Sequence, residues 1–473
     1  MKNSIKLNKQ ILILIVLFTS LQSCKKSVDF IAFNGNIYTV NSDFNTASAF
    51  AVNDGKFVDI GNEEILSKYN TNQKIDLNGS TVLPGLIDAH CHFYGLGLNQ
   101  SVIDLTGTIS FDEIMDKISN KNNNIIRGRG WDQNDWKIKE FPNKEKLDLI
   151  YPNTPVILER IDGHAYLVNQ KALDIAGIDI NTKSTNGTLL SKKGKLTGVL
   201  IDGPMSLIDN SFGEISLDDK IKALVSAQEI CFKNGLTTVD DAGLSKDIIM
   251  LIDSLQKKEL LKMRVYAMIS NSENDVNYFI ENGPIKTNSL NVRSVKVYGD
   301  GALGSRGATL KKPYSDDKHN YGKLVTSYKD IKDLANKLAE ANFQMNTHAI
   351  GDSTINLLID TYSKVLETKT DPRWRIEHSQ IIDVNDIKGY NNKILPSVQP
   401  THATSDMYWA EERVGSKRIK GAYAYKALLE KSKVIGLGTD FPVEKVNPFH
   451  TFYASVSRKD LNDYPEKGFE FEN

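Results

Sequence analysis

Two imidazoles stand two residues apart at the end of one apolar stretch: His90 and His92 in LPGLIDAHCHF, residues 83–93. Alternate residues of a β-strand face the same way, so both rings would point to one side. Two adjacent imidazoles supply half of a site for a zinc-like divalent ion. More donors fall at the ends of later apolar runs: Lys296 in SVKVYGDG, His348 in FQMNTHAIG, His378 in WRIEHSQ and Asp440 in GLGTDFP. Four imidazoles and a carboxylate suit one or two such ions. A lysine ammonium beside a cation would be repelled. The conflict disappears if Lys296 is buried, because burial favours the uncharged amine. A neutral amine can take up carbon dioxide, and the carbamate formed is an anion whose two oxygens can bridge two cations.

These residues meet only if their strands end on one face. Apolar runs compatible with buried strands cover 81–92, 236–243, 263–270, 293–301, 343–351, 374–380, 393–400 and 433–442. Helical spacing of apolar residues separates several of them, as in 329–342 and 353–368. Eight strands with helical crossovers predict an α/β fold of the (β/α)8 TIM-barrel type, which gathers the C-terminal strand ends at one face. Between the first two strands lie further apolar runs, NNIIRGRGW and TPVILERIDGHAYLVN. They predict an α/β insertion over about 99–213, too long to be a simple loop. Ahead of the barrel, short β-rich runs over 28–82 are punctuated by Asn-Gly and Asp-Gly turns and predict a small antiparallel β unit.

The chain has 473 residues, 40% of them hydrophobic and 25% charged. That leaves room for a barrel and an accessory domain. A formal net charge of −1 argues against nucleic acid or an anionic membrane surface as a partner. Lys2, Lys6 and Lys9 precede the apolar run ILILIVLF, residues 11–18. A spanning helix needs ~20 apolar residues, so this run reads as a secretory signal. LQSC, ending at Cys24, resembles the lipobox of bacterial lipoproteins. The resemblance implies removal of 1–23, acylation of Cys24, and a protein held in the cell envelope by a lipid anchor. It would lie on the periplasmic side, at the outer membrane in preference to the inner. Cys91 and Cys231 read as small buried apolar residues rather than a disulfide.

GLIDAHCHF, VKVYGDGALGSR, NTHAIGD, RIEHSQ, SVQPTH and GTDFPVE, in this order, resemble the amidohydrolase superfamily. The resemblance is strongest to amidohydrolase family 3, the branch that includes N-substituted formamide deformylases, and covers nearly all of 28–460. It implies a small N-terminal β-sandwich domain (24–82) and a metal-dependent barrel (83–473). It makes His90, His92, Lys296, His348, His378 and Asp440 the metal residues, with carboxylated Lys296 bridging two divalent ions, most simply zinc. Members of the family return at their C-terminus to complete the sandwich, whereas this chain ends at GFEFEN; the expectation is a sandwich without those partner strands.

The implied reaction is hydrolysis of a non-peptide carbon–nitrogen bond in a small-molecule amide, such as an N-substituted formamide or N-acyl amine. His90 and His92 would hold one ion and His348 and His378 the other. Metal-activated hydroxide would attack, and Asp440 would serve as general base and then general acid. A cyclic amide, carbamate or ester on the same site is the near alternative. A non-catalytic envelope binding protein on the barrel scaffold is the distant one, and homo-oligomerisation is open. Substrate contacts are assigned to His164, Asp162 and Trp131 in the insertion, to Asp300 and Arg306 after the Lys296 strand, and to His402 after the seventh strand. Asp132 belongs with them; His164, Asp162, Trp131 and Asp132 equally suit turn or packing roles, and Asp300 and Arg306 loop hydrogen bonding. His319 and His450 have no supporting motif and read as structural.

Overall fold

The computed structural model describes residues 25–470 apart from 120, 122, 185 and 214. Cys24 and the leader 1–23 lie outside the described residues. The chain divides into a unit ending at Leu86 and a unit from Ile87 onward.

Among the described residues the first unit holds three small sheets. Lys56–Gly61, Ala49–Asn53, Phe30–Phe33 and Lys74–Asp76 form one of four strands, and Thr46–Ala47, Asn36–Tyr38 and Thr81–Val82 one of three. Lys26–Ser27 pairs with Tyr69–Asn70. The hairpin between Ala49–Asn53 and Lys56–Gly61 turns at Asp54 and Gly55, both with positive φ (50° and 67°). That is the backbone a two-residue hairpin of this hand requires, and Asp-Gly tolerates it. Val28, Ile31, Ala49, Ala51 and Ile65 form the core of this unit.

In the second unit eight parallel strands follow one another in sequence order: β1 (Leu86–Cys91), β2 (Leu236–Leu244), β3 (Arg264–Ser270), β4 (Leu290–Tyr298), β5 (Gln344–Ala349), β6 (Trp374–His378), β7 (Ile394–Val398) and β8 (Gly436–Leu437). The barrel is nearly closed. Just past β8, Asp440 N–H donates to His90 O at 2.8 Å and His92 N–H donates to Phe441 O at 2.7 Å. Asp88 fastens the same seam: its carboxylate accepts from Thr439 N–H (3.0 Å), Thr439 Oγ1 (2.7 Å) and His90 N–H (3.2 Å). Burial pushes Asp88 up to about 7 despite these donors.

Crossover helices form where the apolar period is helical. Tyr328–Glu340 starts at Ser327, whose hydroxyl accepts from Asp330 N–H, and buries Ile331, Ala335, Leu338 and Ala339 along one stripe. Asp352–Val365 buries Ile355, Leu358 and Tyr362 in the same manner. No helix among the described residues is long and apolar enough to cross a membrane. Cys91 and Cys231 are both buried and free.

Between β1 and β2 the chain builds a six-stranded mixed sheet, in the order Ile103–Asp104, Ile126–Trp131, Val156–Arg160, Ala165–Val168, Lys195–Asp202, Gly187–Lys192. Both faces are covered, which explains its near-continuous apolar strands. Val156, Leu158, Ala165 and Leu167 join one core, while Ile157, Tyr166 and Val168 join another. Trp131 corrects the sequence expectation. It is fully buried in the first core, and its indole N–H donates to Leu158 O at 2.9 Å. An indole committed this way packs the insertion and does not face a substrate.

Candidate metal centre and active site

The polar residues sit where the strands stop. β1 ends into His92, β4 carries Lys296, and β5 and β6 deliver His348 and His378, with Ala349 paired to His378 across the ladder. His378 and Asp440 both adopt left-handed backbone (φ 69° and 62°), unusual for residues other than glycine. Such strain is tolerated where surrounding structure holds it, commonly at functional sites. Here it also interrupts strand alternation, so that Glu377 and His378 both reach the centre.

Asp440 joins the imidazoles. Its Oδ1 lies 3.2 Å from His92 Nε2 and 3.6 Å from His90 Nε2, and its Oδ2 lies 3.7 Å from His402 Nε2. Two three-donor groups result, His90–His92–Asp440 and His378–His402–Asp440, each with ligand atoms within 4.8 Å of one another. Ligands on one small cation with bonds of about 2.0–2.1 Å stand about 3.3 Å apart when tetrahedral. His378 Nε2, His402 Nε2 and Asp440 Oδ1 are buried with no hydrogen-bond partner among the described residues. Leaving such atoms unsatisfied costs about 1–3 kcal/mol each, and cations bound in the two groups would satisfy them. The donor set of nitrogen and carboxylate oxygen fits a zinc-like ion.

The far edges of the rings are fixed too. His90 Nδ1–H donates to Glu377 Oε2 at 2.5 Å. Arg375 holds that carboxylate at 2.7 Å and reaches Asp240 at 2.8 Å. His378 Nδ1–H donates to Gln399 Oε1 at 2.8 Å. Each bond selects the tautomer that leaves Nε2 as the lone-pair atom facing the site, as partners behind metal-binding histidines do. His348 has the opposite arrangement. Its Nε2–H donates to Gly301 O at 3.4 Å, leaving Nδ1 as the lone-pair atom. Its ring centre lies 4.5 Å from that of His378.

Electrostatics favour ligand protonation states. Burial pushes His90 down to about 4, and His348 and His378 well below the ordinary imidazole value. Burial opposes ionisation of Asp440, but the imidazoles of His90, His92 and His378 around it hold it well below the usual carboxylate range. Glu377, against the same burial, is held down at about 2 by Arg375 and His90. Neutral imidazoles and an ionised carboxylate are what a cation requires. Lys296 is fully buried, with Nζ 3.4 Å from His90 Nε2, and burial lowers its pKa. Among the described residues no carboxylate lies within ion-pair distance of it.

The remaining candidates separate clearly. His402 joins the centre. His164 comes from the insertion to lie with its ring centre 5.0 Å from that of His348. Its Nδ1 hydrogen-bonds Asp202 at 2.6 Å. Asp162 pairs with buried Arg160, which also binds Asp132, and accepts from His164 N–H at 3.0 Å. Asp300 does not face a substrate as expected: it is fully buried and accepts backbone N–H from Thr309, Ile350 and Gly351. Arg306 is likewise redirected, to a two-point ion pair with Asp316.

Four residues of the arrangement were not singled out from sequence: Glu377, Gln399, Asp202 and Tyr298, whose ring centre lies 5.6 Å from that of His348. Glu377 left a trace, a charged residue inside the otherwise strand-like WRIEH that burial obliges to be paired. Nothing in the local sequence marks the other three.

Comparison with known proteins agrees with this geometry. Residues 73–472 match the amidohydrolase family. The chain is similar to the Arabidopsis thaliana protein LONG AFTER FAR-RED 3, with 31% identity over 91% of this chain and 78% of the relative. It is 23% identical to the N-substituted formamide deformylase of Arthrobacter pascens, over 92% of this chain and 85% of that protein. Among solved structures it resembles an uncharacterized metal-dependent hydrolase of Pyrococcus horikoshii, with a TM-score of 0.74 and 28% identity over 94% and 88% of the two chains. A barrel whose strand ends gather buried imidazoles around one aspartate, in a chain matched over most of its length, places this protein in the amidohydrolase family, as a hydrolase with a divalent-metal site.

Proposed function

We propose that this protein hydrolyses a non-peptide amide bond in a small molecule, of the N-substituted formamide or N-acyl amine class. The observation that carries the proposal is Asp440, shared by both three-donor groups with unpartnered ligand atoms around it. The likeness to the Arthrobacter pascens deformylase supports the choice of bond.

His90 and His92 would hold one zinc-like ion, and His348 and His378 the other, with His402 beside His378 and Asp440 reaching both groups from just past β8. Bound divalent cations supply Lewis acidity, polarising a carbonyl and making water easier to deprotonate. Asp440, ionised and beside the imidazoles, takes the proton of the attacking water and returns it to the leaving nitrogen. Lys296, whose amine burial shifts toward the uncharged form, would add carbon dioxide with release of a proton to give a carbamate, an anion able to help hold the cations. Glu377 and Gln399 keep His90 and His378 in the ligating tautomer.

We further propose that Cys24 carries a lipid anchor and places the enzyme in the cell envelope, preferably at the outer membrane. The support is the charged start, the short apolar run and LQSC. The partner is a small-molecule amide, and nucleic acid is not expected.

The test is metal analysis of protein purified with bicarbonate and without chelator, beside Lys296→Ala, followed by a panel of N-substituted formamides, N-acyl amines, esters and cyclic amides. Two ions per chain, fewer in the variant, and turnover confined to acyclic amides support the reading. Folded protein without metal overturns it.

A further inference from the structure

We infer that Asp202, resting on Gly301 and Gly307, is a positioning residue that presents His164 of the insertion to the substrate. This inference rests on the hydrolase reading and adds to it a residue that fixes the substrate from the insertion.

The geometry is specific. His164 closes the turn after Arg160, with its own N–H bonded to Asp162 at 3.0 Å. Its Nδ1 hydrogen-bonds Asp202 Oδ1 at 2.6 Å, and the two backbones join where Asp202 N–H donates to His164 O at 3.1 Å. Its Nε2 has no protein partner among the described residues, and the ring stands beside His348 at 5.0 Å and Tyr298 at 6.3 Å between centres. The side chain keeps 13% of its surface exposed. A hydrogen-bonding atom free at that position, next to a metal-ligand histidine, meets the carbonyl or nitrogen of a bound amide.

Asp202 is built to hold the ring there. Its backbone is left-handed, φ 58°, a conformation that costs an ordinary residue energy and persists only when surroundings impose it. The surroundings are glycines of the loop after β4. A Cβ on Gly301 would lie 2.6 Å from Asp202 Oδ2, and one on Gly307 would lie 3.0 Å from it. A Cβ on Gly304 would lie 3.0 Å from Arg160 and 3.1 Å from Asn134, two further residues of the insertion. Three glycines spaced by three thus make a strip on which polar residues of the insertion lie directly against backbone. Gly301 O also accepts from His348 Nε2. One glycine therefore touches the partner of His164 and orients the metal-ligand histidine beside it. The glycines of the loop after β4 thus form a seat for the insertion.

The experiment compares wild type with His164→Ala, His164→Gln, Asp202→Asn and Gly301→Ala. It reads zinc content, thermal unfolding, affinity for acetohydroxamate as an amide-like probe by calorimetry, and kcat and KM on any formamide turned over. The expected result is unchanged zinc and melting in His164→Gln and Asp202→Asn, with probe affinity at least tenfold weaker. Loss of kcat/KM by about 10²–10³ is expected, falling mainly on kcat. Millimolar imidazole should restore part of the lost affinity in His164→Ala, which a merely structural role would not allow. Gly301→Ala should reproduce the loss of probe affinity seen in Asp202→Asn. Unchanged affinity in both His164 variants overturns the inference, and so does loss of zinc in them, which would make His164 a ligand. Wild-type protein that is folded but binds no zinc strikes the hydrolase reading itself, so the two failures are told apart.

Discussion

His90 Nδ1 and Glu377 Oε2 lie 2.5 Å apart, both fully buried, joining the first barrel strand to the sixth across 287 residues of sequence. The pair stands at the end of a chain of charges running Asp240–Arg375–Glu377–His90. It orients a candidate ligand ring from behind, and removing the charge should be felt as metal affinity. Glu377→Gln is expected to weaken zinc binding by about 10- to 100-fold, measured by competition with a chromophoric chelator. Affinity within twofold of wild type would show that the pair serves packing alone.

Asp88 predicts a stability effect at the barrel seam. Asp88→Ala leaves the Thr439 N–H, the Thr439 hydroxyl and the His90 N–H without their acceptor. Each orphaned donor costs on the order of 1–3 kcal/mol, so the urea midpoint should fall markedly. Asp88→Asn keeps an oxygen acceptor and should lose less. Equal midpoints for all three proteins would disprove the latch.

Trp131 should behave as a core residue of the insertion. Trp131→Ala is expected to cost about 3–5 kcal/mol of unfolding free energy, with zinc content per folded chain unchanged. Denaturant unfolding and elemental analysis measure the two separately. A variant of native stability with altered turnover would return Trp131 to the substrate contacts.

The buried imidazoles give the metal-free protein a definite pH response. Burial puts His90 near 4 in the folded chain, against 6.5 for an ordinary ring. As pH falls through 6.5 the unfolded ring takes a proton and the folded ring does not, so stability is full above 6.5 and declines toward 4. For this ring the loss is on the order of 3 kcal/mol. Buried carboxylates such as Asp406, pushed up to about 7 by burial, act in the opposite sense. The quantity to measure is therefore the difference between wild type and His90→Asn in urea unfolding of chelated protein. That difference should shrink between about pH 7 and pH 4.5. A constant difference contradicts the assignment.

The eight barrel strands were legible because each is a short run carrying apolar and β-branched residues, several of them set apart by runs of helical period. Both faces of a parallel barrel strand are covered, and the residue types follow directly from that burial. His90 and His92 stood out through the period of two, and the candidate ligands on β4 to β6 and just past β8 through one rule: polar residues at the C-terminal ends of such runs gather at one face.

What no local pattern carries is which distant groups touch. Asp202 lies 38 residues from His164 and Glu377 lies 287 from His90. Their pairings depend on strand register and on how the insertion folds back, which are properties of the whole chain. For the same reason Trp131, Asp300 and Arg306 resembled substrate contacts in sequence. An indole, a carboxylate and a guanidinium are equally at home in a core, on backbone amides or in an ion pair, and only the packed structure decides among these. The residue types and their positions along the strands thus pointed to a barrel with candidate metal ligands at one face. Tertiary packing decided which atom of each ring faces the centre, that His402 joins it, and which loop glycines give the insertion its seat, because hydrogen-bond partners and close backbone approach exist only once the strands are in register.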